Sequence, residues 1–132
     1  MQRIILIIFE FKLIVILFLI LIIAISCNNK NTIPDPLEAG WNGISVCEII
    51  EENNNIRVLK CTFAPGIGHE KHYHVAHFGY TISGSKFRII DETGIREINV
   101  STGSHFYSEV KKWHEVLNIG DSTAVFLIIE PK

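Results

Sequence analysis

From Trp41 to the C-terminus, turn-forming residues recur roughly every 8–12 positions, and no amphipathic helix longer than a turn or two fits between them. That spacing constrains the chain more than any other feature. Residues 44–51 and 56–64 are β-rich runs around Asn53-Asn54-Asn55, which predicts a hairpin with a short asparagine loop. Residues 78–83 form another run, closed by Gly84. Residues 86–91 and 95–100 flank Asp91-Glu92-Thr93-Gly94, a second hairpin signal. Residues 104–108, a strand at 114–119 and residues 123–130 complete the set, with Gly120-Asp121 as a turn. The expectation is an all-β, antiparallel sandwich or barrel.

The N-terminus is a different material. Of the first 26 residues, 21 are apolar, whereas the remaining 106 are about 40% apolar, ordinary for a globular domain. Arg3 and Lys12 precede the unbroken apolar run 13–25, and Ala24-Ile25-Ser26-Cys27 follows it. A basic start, an apolar centre and small residues before a cut make a secretory signal. With Cys27 next, the pattern resembles the lipobox of bacterial lipoproteins, which implies that Cys27 is lipidated. An uncleaved anchor is the alternative: residues 4–25 are long enough to span, but Glu10 and Lys12 within them disfavour it. Residues 27–40, with two prolines and several asparagines, read as a polar tether. The division is thus 1–26 signal peptide, 27–40 tether and 41–132 domain, held outside the cytoplasm at the cell envelope.

The net charge is −2, and no basic run or aromatic–basic interleaving points to nucleic acid. Cys47 and Cys61 lie at equal distances from Asn54, the centre of the first hairpin, so they can face each other across the ladder. An exported domain permits a disulfide there; two small buried thiols are the other outcome.

All six histidines fall between residues 69 and 114. His72 and His74 are two apart, which on a strand puts both on one face with Cβ atoms about 7 Å apart, within reach of one ion. Neutral imidazole is the commonest protein ligand for such metals. A third ligand has to come from another strand, and His114 begins one.

Here the sequence resembles a known family. Gly66-x5-His72-x-His74-x2-His77-x6-Gly84 is similar to the first cupin motif, G-x5-H-x-H-x3–4-E-x6-G. Gly103-x5-Glu109-x-Lys111-x2-His114-x3-Asn118 is similar to the second, G-x5-P-x-G-x2-H-x3-N. The resemblance implies a small single-domain cupin, a jelly-roll barrel with a metal inside. It carries His72, His74 and His114 over as ligands and makes Asn118 structural. It departs where His77 holds the family's Glu position and where Glu109 and Lys111 replace Pro and Gly. Four imidazoles, His72, His74, His77 and His114, leave the full charge of the ion and favour Zn²⁺, Cu²⁺, Ni²⁺ or Fe²⁺. A carboxylate in the set, as in the family, suits Mn²⁺ or Fe²⁺. If His77 stays off the ion, a three-histidine site with open positions remains.

His69 sits in a loop, residues 66–71, and is expected to face solvent, with a place behind the ligands as the alternative. The parity of His105 is undetermined. Tyr80, Tyr107 and Glu109 are expected to be packing or surface residues; lining the pocket and moving a proton is the alternative. Two functions are consistent with these residues: a metal-dependent enzyme of dioxygenase, isomerase or lyase type acting on a small molecule, or a non-catalytic module that binds a small ligand or metal at the envelope. A barrel that keeps its histidines without metal is the bland alternative. The family further implies a possible homodimer.

Overall fold

The computed structural model describes Lys12, Val15, residues 32–109 and residues 112–132. Residues 1–26, expected to be a signal peptide, and Cys27 therefore lie outside the described residues, apart from those first two. Among the described residues no helix is long and apolar enough to cross a membrane. Residues 33–132 form one compact unit.

That unit has nine strands: β1 (Cys47–Glu52), β2 (Ile56–Phe63), β3 (Gly68–His74), β4 (His77–Ser83), β5 (Ser85–Asp91), β6 (Gly94–Val100), β7 (His105–Ser108), β8 (Lys112–Asn118) and β9 (Ala124–Pro131). They form two antiparallel sheets, one ordered β1-β2-β9-β4-β7 and the other β3-β8-β5-β6. The chain alternates between sheets, as a jelly roll does, but among the described residues no ladder joins them. The expected barrel is thus open, a two-sheet sandwich. The likeness of period in all nine strands hides this from the sequence, because alternation within a strand says nothing about which sheet it joins.

Alternation does decide the core. Leu59, Cys61 and Phe63 point inward from β2, Ala124 and Ile128 from β9, and Phe87 from β5, all buried. Phe63, Phe87 and Phe126 meet edge to face across the gap, with centroids 5.6–5.9 Å apart. That geometry suits the ring quadrupoles. Asn118, fully buried, is completely satisfied. Its amide donates to the carbonyls of Phe63 and Ser122, and its oxygen accepts from Ser85 and the Gly120 amide. The residue therefore ties β8 to β2, to β5 and to the turn before β9, the structural role the motif implied.

Three local features position the site. Cys47 and Cys61 are opposed in the β1–β2 register and form a disulfide. Gly79 lies beneath the ring of Phe106, which a Cβ would strike, so glycine lets β7 close on β4 there. Residues 33–40, expected within the tether, are built onto the domain instead. Pro36 and Ala39 are buried, the Pro34 carbonyl accepts from the Tyr73 amide, and Asp35 pairs with Arg57 at 2.9 Å.

Candidate metal centre

His72 and His114 are directly opposed in the β3–β8 register, and His74 follows two residues on, opposite Lys112. β8 starts at Lys112, two residues earlier than the sequence suggested. The three imidazoles offer ligand atoms that all lie within 4.8 Å of one another. His72 Nε2 is 3.2 Å from His74 Nε2 and 3.0 Å from His114 Nε2.

The far sides of two rings define what those nitrogens are. His72 Nδ1 is 2.7 Å from the Glu70 carbonyl, which can only accept, so Nδ1 donates. His74 Nδ1 is 3.0 Å from Glu130 Oε1 and donates to it. Burial alone would raise the Glu130 carboxyl, but hydrogen bonds from His74 and Arg57 outweigh it and hold the group below its usual range, ionised. His72, whose ring burial keeps neutral, then holds its Nε2 lone pair toward the other two rings. That lone pair can accept from a neighbouring ring or ligate a cation placed among the three. Three nitrogens about 2.1 Å from one ion sit about 3.0 Å apart in octahedral and about 3.4 Å in tetrahedral geometry. The spacings of 3.2 and 3.0 Å from His72 to the other two rings fall in that range. The donor set fits a divalent transition metal, and His72, His74 and His114 form a site able to coordinate one.

Electrostatics agree. Burial first, then the neighbouring His69 and His114, push His72 down to about 2. Burial, then His74 and His69, push His114 down to about 3. Both rings are neutral at physiological pH, the form that ligates metal.

Glu130, invisible as a site residue in the sequence, anchors the arrangement. It pairs with Arg57 in the β2–β9 register, accepts from Arg57 Nε at 2.6 Å, and so links Asp35 through Arg57 to His74. Such outer partners set the tautomer and orientation of a metal-binding imidazole.

His77 is buried beside this group but is not one of the three that converge. It opens β4 in the other sheet, 4.6 Å from His74 between ring centroids, its Nδ1 against the Val75 carbonyl at 2.7 Å. Burial lowers its pKa. The His69 expectation is overturned. His69 is only 2% exposed, and its ring stacks on His72 with centroids 3.7 Å apart. The cause is a β-bulge: three steps from His69 to His72 match two from Val116 to His114, which turns both rings to the same face. His105 lies exposed on the outer face, stacked on Phe78. Tyr80, Tyr107 and Glu109 are exposed and do not line the cavity. On β4 and β7 the inward positions belong instead to His77 and Phe106.

The site opens on a cavity of about 780 Å³ between the sheets, with Phe63, Phe87, Ile89, Val116 and Phe126 among its walls. Lys112 and Trp113 border it beside the histidines. Asp91, also on its wall, is held by Thr93 and Arg96 and is no free base.

No protein-family model and no curated protein matches the chain. Solved structures do. A cupin domain from Bordetella pertussis Tohama I aligns with a TM-score of 0.62 at 20% identity, over 76% of this chain and 97% of that one. The polyketide cyclase RemF from Streptomyces resistomycificus aligns at 0.54 and 16%, over 64% of this chain and 63% of that one. A cupin superfamily protein from Desulfitobacterium hafniense DCB-2 aligns at 0.51 and 12%, over 64% and 74%. At these identities the likeness is one of fold, and the fold of this chain is that of a small single-domain cupin.

Proposed function

We propose that the protein binds one divalent transition metal through His72, His74 and His114, and uses it to hold a small organic ligand in the cavity. The observation that carries this reading is the convergence of three imidazoles whose ligand atoms lie within 4.8 Å of one another, with the His72 and His74 rings each oriented by a hydrogen bond on the far side. Three nitrogen ligands leave coordination positions toward the cavity, as a site that exchanges ligands requires. His77 supplies a fourth imidazole beside the group, close enough to contact a molecule on the ion or to join the set after a side-chain rotation. A bound cation supplies Lewis-acid or redox chemistry there. The chain's own residues orient His74 through Glu130 and Arg57, and exclude water with an apolar wall.

Turnover of dioxygenase, isomerase or lyase type is the catalytic form of this reading. Binding without turnover is favoured by one observation: the carboxylate nearest the histidines, Glu130, is already occupied by His74 and Arg57. Neighbours of one fold include a polyketide cyclase, but fold alone carries no substrate. We also propose that Cys27 carries lipid and tethers the domain to the envelope membrane. Globomycin or Cys27→Ala then blocks processing; unchanged mobility together with release from membranes removes that reading.

The metal is tested on the full chain purified without a histidine tag. Plasma mass spectrometry is expected to find close to one transition metal ion per chain, and His72→Ala with His114→Ala to lose it. Iron with oxygen uptake on a small-molecule panel supports the enzyme; tight zinc without turnover supports the binding module. No metal, with unchanged thermal stability in the double variant, ends the metal reading.

A further inference from the structure

A second set of ligating groups lies behind the first. Cys47 and Cys61 are bonded to each other across β1 and β2, and both are buried. His69, also buried, stands beside them with Nδ1 3.9 Å from Cys47 Sγ. Its Nε2 is 3.0 Å from the Pro36 carbonyl, which can only accept, so Nε2 carries the proton and Nδ1 keeps its lone pair toward the sulfur. A disulfide has no proton to give that lone pair. Two thiols would, and two thiolates would share a cation with it. Cys61 and His69 both line the cavity, so an ion has a route in.

We propose that Cys47, Cys61 and His69 form a second metal site that exists only when the disulfide is reduced, and that it takes a thiophilic divalent cation of the Zn²⁺ class. The reductant is a dithiol. One of its thiolates attacks a sulfur of the disulfide and breaks the S–S bond. Its second thiol then closes the reductant's own disulfide, so two electrons and two protons end on Cys47 and Cys61. The cation displaces both thiol protons to solvent and gains two bonds to sulfur and one to His69 Nδ1.

The geometry is close to what such a site needs. With bonds of about 2.3 Å to sulfur and about 2.0 Å to nitrogen, tetrahedral S and N ligands lie about 3.5 Å apart. The present separation of 3.9 Å closes with a small movement. The two sulfurs have to part to about 3.8 Å, which rotation of two side chains on facing strands provides. Charge also permits it. Two thiolates cancel the charge of the ion, so the filled site adds no net positive charge beside His72, on which His69 stacks.

The test uses the full chain, oxidised or reduced with dithiothreitol that is then removed anaerobically. Zn²⁺ stoichiometry is read by mass spectrometry, and Co²⁺ is titrated as a spectroscopic probe. The reduced chain is expected to hold one more ion than the oxidised chain, with a thiolate-to-cobalt charge-transfer band, and Cys61→Ser to lose both. The same difference is expected in His72→Ala with His114→Ala, so failure of the first site does not obscure the second. Equal stoichiometry in the two redox states overturns the proposal. So does an extra ion without the thiolate band, or one that survives Cys61→Ser. A reduced chain that loses its β circular dichroism and does not regain it with Zn²⁺ overturns it as well.

Discussion

The stretch just before the His72–His74 pair and the stretch just after it each carry a histidine three residues away, and the fold handles them differently. Before the pair, a bulge adds one residue to β3, so His69 stays on the inner face of the same strand and stacks on His72. After the pair, Val75 and Ala76 leave the strand, and His77 opens β4 in the other sheet, opposite Ser108. A bulge keeps a side chain on its own wall with altered parity. A change of sheet carries it to a different wall. Equal spacing in sequence thus yields a packing partner for a ligand on one side and a neighbour facing it on the other.

The largest test of that comparison is acid. His69, His72 and His114 are pushed down by burial from 6.5 to about 4, about 2 and about 3. The unfolded chain binds their protons near pH 6.5, and the folded chain refuses them until lower pH. Stability is therefore complete above about 6.5 and falls as pH drops through that value, the loss ending at about 4 for His69, about 3 for His114 and about 2 for His72. The slope is up to about 1.4 kcal/mol per pH unit for each histidine. Urea melts of the metal-free chain at neutral and mildly acid pH read this directly; a flat profile would mean that the rings are hydrated rather than buried.

Next comes Glu130→Ala, which leaves Arg57 and His74 without their shared partner. A loss of about 3 kcal/mol is expected in the same melts, and metal affinity is expected to fall about 10–100-fold. Deleting Lys71 removes the bulge but leaves His69 two residues before His72, so simple alternation keeps it on the inner face. Stability should fall by no more than about 2 kcal/mol, and His69 should stay protected from imidazole-modifying reagents; new reactivity would show that the bulge itself is what holds the ring inward. The smallest effect separates the two flanks. His77→Ala is expected to weaken metal binding less than His72→Ala by at least about tenfold, or about 1.4 kcal/mol, measured by competition with a chromophoric chelator. Equal losses would place His77 among the ligands.

How much of this was legible depended on the range of each interaction. His72 and His74 are readable because period two is local. His114 was readable only through the spacing of a second motif. Cys47 and Cys61 were readable as opposed positions because a hairpin makes register follow from its turn; whether they bond was not. Glu130 was not readable as a partner of His74. They are 56 residues apart, on strands that do not pair, and the side chains meet only because β3 and β9 lie in sheets that pack together. Tyr80 and Tyr107 lie at the surface, the outcome the sequence favoured for them, although an aromatic near a motif carries no mark of which way its strand faces. His69 misled because a bulge leaves no reliable local signature.

Local chemistry along the chain thus determined an all-β domain, its main hairpins, an apolar N-terminal segment distinct in kind from the rest, and the His72–His74 pair. Only the tertiary structure decided that the sheets stay separate among the described residues and that His69 and His77 part company. It also decided that a buried Glu130–Arg57–Asp35 chain holds His74 in place. Strand alternation is set by each residue's immediate neighbours, whereas pairing between strands, bulges and burial are settled by the packing of the whole domain at once.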